Sequence, residues 1–132
     1  MRLPLALALA GVLVLGWAVV AVAGSGETVS VEMKYSRFEP DDLRLQAGHA
    51  VTFVIYNDDP IDHEFILGDQ SVQDRHESGT EAHHGSIPTE VSVPAGETVE
   101  TTVTFDEPGD LILGCHLPGH YAYGMKAKVT VR

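Results

Sequence analysis

After its first two dozen residues the chain reads as short runs of alternating apolar and polar positions, each closed by proline, glycine or aspartate. Thr28 to Tyr35, T-V-S-V-E-M-K-Y, puts Val29, Val31 and Met33 on one face, the period of two that a half-buried strand requires. Met33 is therefore expected in the core and not at a metal. Phe38 to Pro40 reads as a break, and Leu43 and Leu45 carry the next alternating run, which ends at the Ala47-Gly48 turn signal. Val51 to Tyr56, V-T-F-V-I-Y, is the clearest strand, because β-branched and aromatic side chains suit a pleated surface. Asn57-Asp58-Asp59-Pro60 closes it, Pro60 having no N–H to give a ladder. Ile61 to Leu67 then resumes as a strand.

Gly68 to Pro88 is a polar excursion expected to add nothing to a core, with room for one short helix that Ser71 could cap. Val91 and Val93 precede the Pro94-Ala95-Gly96 turn, and Thr98 to Phe105 alternates with Val99, Val103 and Phe105 facing inward. Glu107-Pro108-Gly109-Asp110 turns the chain into apolar Leu111 to Leu113, and Lys126 to Val131 alternates once more. Seven or eight short strands separated by turn residues predict an all-β Greek-key β-sandwich. Neither an internal repeat nor a low-complexity tract interrupts them.

The first residues follow another rule. Met1 and Arg2 begin a short basic region, Leu3 to Val22 is almost wholly apolar, and Ala21-Val22-Ala23 offers the small residues of a signal-peptidase site. Residues 1–23 are thus expected to be an export signal, and residues 24–132 one domain. The competing reading is an uncleaved membrane anchor, since the apolar run is about as long as the ~20 residues that cross a bilayer. Either way the domain is expected outside the cytoplasm, periplasmic or extracellular. Position 24 is glycine, not cysteine, which argues against a lipoprotein anchor.

With 19 acidic against 8 basic residues the chain carries a formal charge of −11, and the leader takes away a basic residue and no acidic one. Nucleic acid is therefore excluded as a natural partner. The chain has one cysteine, Cys115, which in an exported protein can form no internal disulfide and should be occupied by something else.

Gly114 to Met125, G-C-H-L-P-G-H-Y-A-Y-G-M, supplies the occupation. Cys115, His120 and Met125 offer a soft thiolate, an imidazole and a thioether from one loop, the donor types expected for copper that alternates between Cu(I) and Cu(II). Pro118 and Gly119 make a tight reversal that lets Cys115 and His120 point back at one atom, and Gly124 gives similar freedom before Met125. Zinc is a poorer fit: a structural site would want more thiolates, and thioether is a poor zinc ligand. A second histidine must come from elsewhere in the chain.

The C-x4-H-x4-M run, with N-D-D-P-I-D-H-E-F at residues 57 to 65, resembles the cupredoxins, the small blue-copper proteins that include plastocyanin, azurin and auracyanin. The resemblance extends from about Thr28 to Val131. It implies His63, Cys115, His120 and Met125 as ligands of one type 1 copper ion. It also implies a monomeric carrier of single electrons between redox partner proteins that it meets transiently. Exit through His120 is expected, within an apolar collar of Leu117, Pro118, Tyr121 and Tyr123. The alternative is an exported protein for copper sequestration, delivery or resistance. No acid/base pair or open coordination site is apparent, so the chain is not expected to be an enzyme.

In plastocyanin and azurin an asparagine after the first histidine helps tie the two ligand segments together, whereas this chain has Glu64. The tie must differ, with Glu64 either tuning the potential or facing solvent. A backbone N–H is expected at the Cys115 sulfur. The C-H-x-x-x-H-x-x-x-x-M pattern is also similar to the last copper segment of multicopper oxidases, but Gly114 replaces one of its histidines and no H-x-H pair exists for a trinuclear centre. His116 is expected to face outward, since neighbours in a strand point to opposite faces. His76, His83 and His84 read as a solvated loop, with an accessory copper or zinc site as the sharper hypothesis.

Overall fold

Two sheets account for all the alternating runs. The computed structural model describes residues 26–79 and 87–132. Among these, β2 (Arg37–Glu39), β1 (Glu27–Lys34), β4 (Ala50–Asn57) and β7 (Thr98–Thr104) lie side by side in one sheet. The other sheet runs in the order β3 (Asp42–Leu45), β9 (Lys126–Val131), β8 (Gly109–Gly114), β5 (His63–Gly68) and β6 (Glu90–Val93). Parallel pairs, β1 with β4 and β3 with β9, mark where the chain crosses between sheets, and the other neighbours are antiparallel. The predicted all-β sandwich is the observed one, with nine strands among the described residues where seven or eight were expected. The leader, residues 1–23, lies outside the described residues, as do His83 and His84. No helix among the described residues is long and apolar enough to cross a membrane.

The inward sets of the strands form the core. Val31 and Met33 of β1, Val51, Phe53 and Ile55 of β4, Phe65 and Leu67 of β5, and Val129 and Val131 of β9 are buried together. Phe53 and Phe65 meet across the sheets with ring centroids 5.1 Å apart. Each such side chain contributes about 1.5–3 kcal/mol by leaving water, and together they fix the distance between the sheets.

The pattern misread two places. Arg37–Glu39 is strand β2, paired antiparallel with β1 and burying Phe38, so the break expected at Phe38 to Pro40 falls partly on a strand. The reversal comes earlier, at Tyr35 and Ser36, whose φ angles of 54° and 52° make the two-residue hairpin turn. Tyr-Ser carries no turn signature, which is why the pairing was hidden. In the polar excursion, α1 (Gln70–Glu77) starts at Asp69, whose carboxylate accepts the Val72 N–H at 3.0 Å, so Asp69 and not Ser71 is the cap.

Nor is the excursion outside the packing. The helix lies against β5 and β8, at a place where the sheet has no side chains: a Cβ on Gly68 would sit 2.6 Å from Val72, and one on Gly114 only 2.5 Å from the Gln73 amide oxygen. Gln73 is fully buried, its amide nitrogen donating to Ile66 O at 3.2 Å and Ile112 O at 2.9 Å. Covered on both faces, β5 is buried at every position.

Candidate metal centre

Three donor atoms converge at one end of the sandwich. His63 opens β5; Cys115 follows directly on β8; His120 lies in the turn that leads on to β9. The loop is closed by its own backbone. His120 N–H donates to Leu117 O at 2.9 Å, Met125 N–H to His120 O at 2.9 Å and Cys115 N–H to Met125 O at 3.2 Å. Gly119 and Gly124, with φ of 85° and 96°, take the conformations that a side chain would oppose. The result places His120 Nδ1 3.3 Å from the Cys115 sulfur, with His63 Nδ1 3.9 Å from that sulfur and 3.2 Å from His120 Nδ1. One ligand atom from each of the three residues lies within 4.8 Å of the others, and no second such group forms among the described residues. Met125, expected in the same set, is fully buried and its backbone spans the loop between His120 and Cys115.

Electrostatics prepare these atoms for a cation. Burial pushes the Cys115 thiol up to about 11, against the pull of backbone N–H groups from Leu117 and Glu64. The sulfur is thus a thiolate at neutral pH only when a positive ion takes the place of its proton. Burial, and then the His63 imidazole beside it, holds His120 below the ordinary imidazole value, leaving a neutral ring with a lone pair. A soft sulfur and two imidazoles, enclosed and braced, fit copper in a type 1 site.

Contacts around the three donors join residues far apart in the sequence. Asp59 is 8% exposed and faces His63 Nε2 at 2.8 Å. Burial works to raise its carboxyl, but the N–H groups of Ser36, His63 and Tyr35 outweigh burial and hold it below the usual carboxylate range. Its only sequence signal was its place four residues before the histidine. Glu64 does not face solvent. It is 3% exposed, its backbone N–H reaches the Cys115 sulfur at 3.4 Å, and its carboxylate accepts the His116 N–H at 3.2 Å. Glu64 therefore makes the tie between ligand segments that asparagine makes elsewhere, by side chain and backbone together. Asn57 secures the segment from below, donating to Ile61 O at 2.8 Å and Val93 O at 3.0 Å and accepting the Asp59 N–H.

His116 corrects an expectation. It does turn away from the Cys115 side of the strand, but the face it turns to is covered by α1, so its side chain is 2% exposed. Nε2 lies 2.7 Å from Gln73 Oε1, Nδ1 lies 2.8 Å from Glu77, and the ring stacks on Tyr121 with centroids 4.5 Å apart. Tyr121 is half-buried by that stacking, while Pro118 and Tyr123 of the same loop are exposed. His76, of the supposed accessory site, donates from Nδ1 to Val72 O at 2.9 Å and faces Glu90 with Nε2.

Residues 26–132 match a family described as copper binding proteins, plastocyanin/azurin family. A protein named copper-resistant cuproprotein CopI from Rubrivivax gelatinosus is 35% identical, over 83% of this chain and 69% of its own length. The protein of the same name from Pseudomonas aeruginosa is 28% identical, over 83% of this chain and 78% of its own. A reduced auracyanin from the photosynthetic bacterium Roseiflexus castenholzii shares the fold with a TM-score of 0.69 at 20% identity, over 83% of this chain and 99% of its own.

Proposed function

The chain belongs to the copper-binding plastocyanin/azurin family, the cupredoxins, and on that premise we propose that it acts outside the cytoplasm in copper tolerance. It holds one ion with His63, Cys115, His120 and the thioether of Met125. The observation that carries the reading is the convergence of His63, Cys115 and His120 donor atoms. The tolerance role draws its support from the relatives named copper-resistant, and the location from the apolar run of Leu3 to Val22 and its A-x-A site.

When bound, copper supplies one-electron chemistry between Cu(II) and Cu(I). The chain's part is to keep the donors in place. The Cys115 to Met125 loop resists rearrangement through its own hydrogen bonds, and β5 brings His63 from the far side of the site. Burial excludes water from the sulfur. A strain deprived of the protein should grow poorly at raised copper, and the wild type but not Cys115→Ser should restore growth. Equal tolerance with and without the protein would remove this role.

A second reading is a dedicated single-electron carrier between redox partners, favoured by the partial exposure of His120 in a loop that also exposes Pro118 and Tyr123. A carrier docks briefly through a small apolar patch. His120→Gly should then slow electron self-exchange of the copper protein while its fold survives; an unchanged rate would end the carrier reading.

A further inference from the structure

We propose that Asp59 is a positioning residue of the copper centre, holding the His63 ring so that Nδ1 alone is offered to the metal and favouring the oxidised ion by its fixed charge. The proposal rests on the copper reading above and adds to it a residue outside the ligand set.

The tautomer follows from the contacts. A carboxylate only accepts hydrogen bonds, and Asp59 Oδ2 lies 2.8 Å from His63 Nε2, so Nε2 carries the ring's proton. In the singly protonated ring the lone pair is then on Nδ1, the nitrogen that faces His120 and Cys115. A ligand histidine whose other nitrogen is committed to a carboxylate has both its orientation and its basicity set from behind.

The carboxylate itself cannot swing away. Tyr35 N–H donates to Oδ1 and Ser36 N–H to Oδ2, each at 2.8 Å. Both N–H groups come from the hairpin turn between β1 and β2, whose positive φ angles aim consecutive amides the same way. Asp59 is therefore gripped at three points by groups from two parts of the chain. Its charge is also left to the metal: Lys34, the nearby base, is engaged by Asp58 at 2.6 Å. A buried negative charge beside an ion stabilises its doubly charged form more than its singly charged form, so Asp59 lowers the potential.

Asp59→Asn keeps the size and removes the charge. In the copper-loaded protein it should reduce the preference for Cu(II) over Cu(I) about tenfold, a rise of about 59 mV in reduction potential. Copper should still bind one to one with an intense thiolate charge-transfer band. Nitrogen-15 spectra of the metal-free protein should show His63 as one tautomer in the wild type and as a mixture in Asp59→Asn.

A merely structural role, holding the turn, is separated by adding Tyr35→Asn and Ser36→Gly, residues that accept positive φ unaided. These should restore resistance to denaturant and leave the potential and the tautomer mixture shifted. The proposal is overturned if Asp59→Asn leaves both potential and tautomer as in the wild type, or if the turn substitutions return them along with stability. A wild-type protein that binds no copper would instead sink the copper reading, while the metal-free tautomer measurement would still decide the part played by Asp59.

Discussion

The two walls of the metal centre are built by opposite means. The Cys115 to Met125 wall is local: its donors sit in one short stretch, and the backbone–backbone hydrogen bonds that close the loop run between residues of that stretch. The His63 wall is assembled from afar. Asp59 is held by the turn at Tyr35 and Ser36, Asn57 by Val93, and Glu64 by its contacts with His116 and Cys115. The loop's backbone bonds close without help from other elements, whereas the opposite wall exists only when the whole sandwich has closed. The centre thus combines a wall that needs little of the fold with one that needs all of it.

That difference can be broken open by substitution. The largest effect is expected from Cys115→Ser, which should abolish the charge-transfer band of the copper(II) protein. The metal-free domain should still unfold cooperatively in denaturant, because the backbone–backbone bonds that close the loop remain and a serine hydroxyl can still accept the N–H groups that reach the sulfur from Leu117 and Glu64. Glu64→Ala should cost about 1–3 kcal/mol in denaturant unfolding of the metal-free protein, the price of a buried N–H at His116 left without its partner. Glu64→Gln, which keeps an acceptor, should cost less. Since Glu64 joins the two walls, its removal should also loosen the His63 side, seen as faster amide exchange at β5 than in the loop.

Gly119→Ala probes the local wall alone. With φ at 85°, a side chain there is strained by about 1–2 kcal/mol, and the exposed Tyr123 ring, 3.0 Å from the new carbon, can move aside. Stability should fall by that amount without any change in exchange at His63, measured by amide exchange across both walls. An equal disturbance of the two would mean that the loop is not a separate wall. The smallest effect lies at the start of α1. The hydroxyl of Ser71, then the N–H of Val72, holds the Asp69 carboxyl below the usual carboxylate range. A lowered value in the fold means that the cap is complete above the ordinary carboxylate pKa and is lost as pH falls through the depressed one. The Val72 amide resonance should therefore titrate at acid pH with a midpoint below that of a free aspartate, and should stop doing so in Asp69→Asn.

Alternation with a period of two was enough for the strands carrying Val31 and Met33, Phe53 and Ile55, and Val129 and Val131, because one face of each meets the core and the other meets solvent. The same rule failed at Arg37–Glu39, too short to show a period, and at α1, whose outward polarity hid the one residue, Gln73, that it buries. At the metal centre, Cys115 and His120 were legible from their spacing, since a single tight loop leaves little choice about where they point. His63 needed the resemblance to the cupredoxins as well.

What the amino-acid order determined by itself is whatever depends on neighbours: strand periods, the turns at Gly48 and Gly96, and the donor set of one loop. What only the tertiary structure decided is whatever depends on residues dozens of positions apart. The grip of the Tyr35–Ser36 turn on Asp59, the inward turn of Glu64 toward Cys115 and His116, and the shelter that α1 gives His116 are of this kind. A carboxylate or an imidazole reads the same in a sequence whether water or protein surrounds it, and only closure of the two sheets settles which, by deciding what lies within hydrogen-bonding distance when the water is gone.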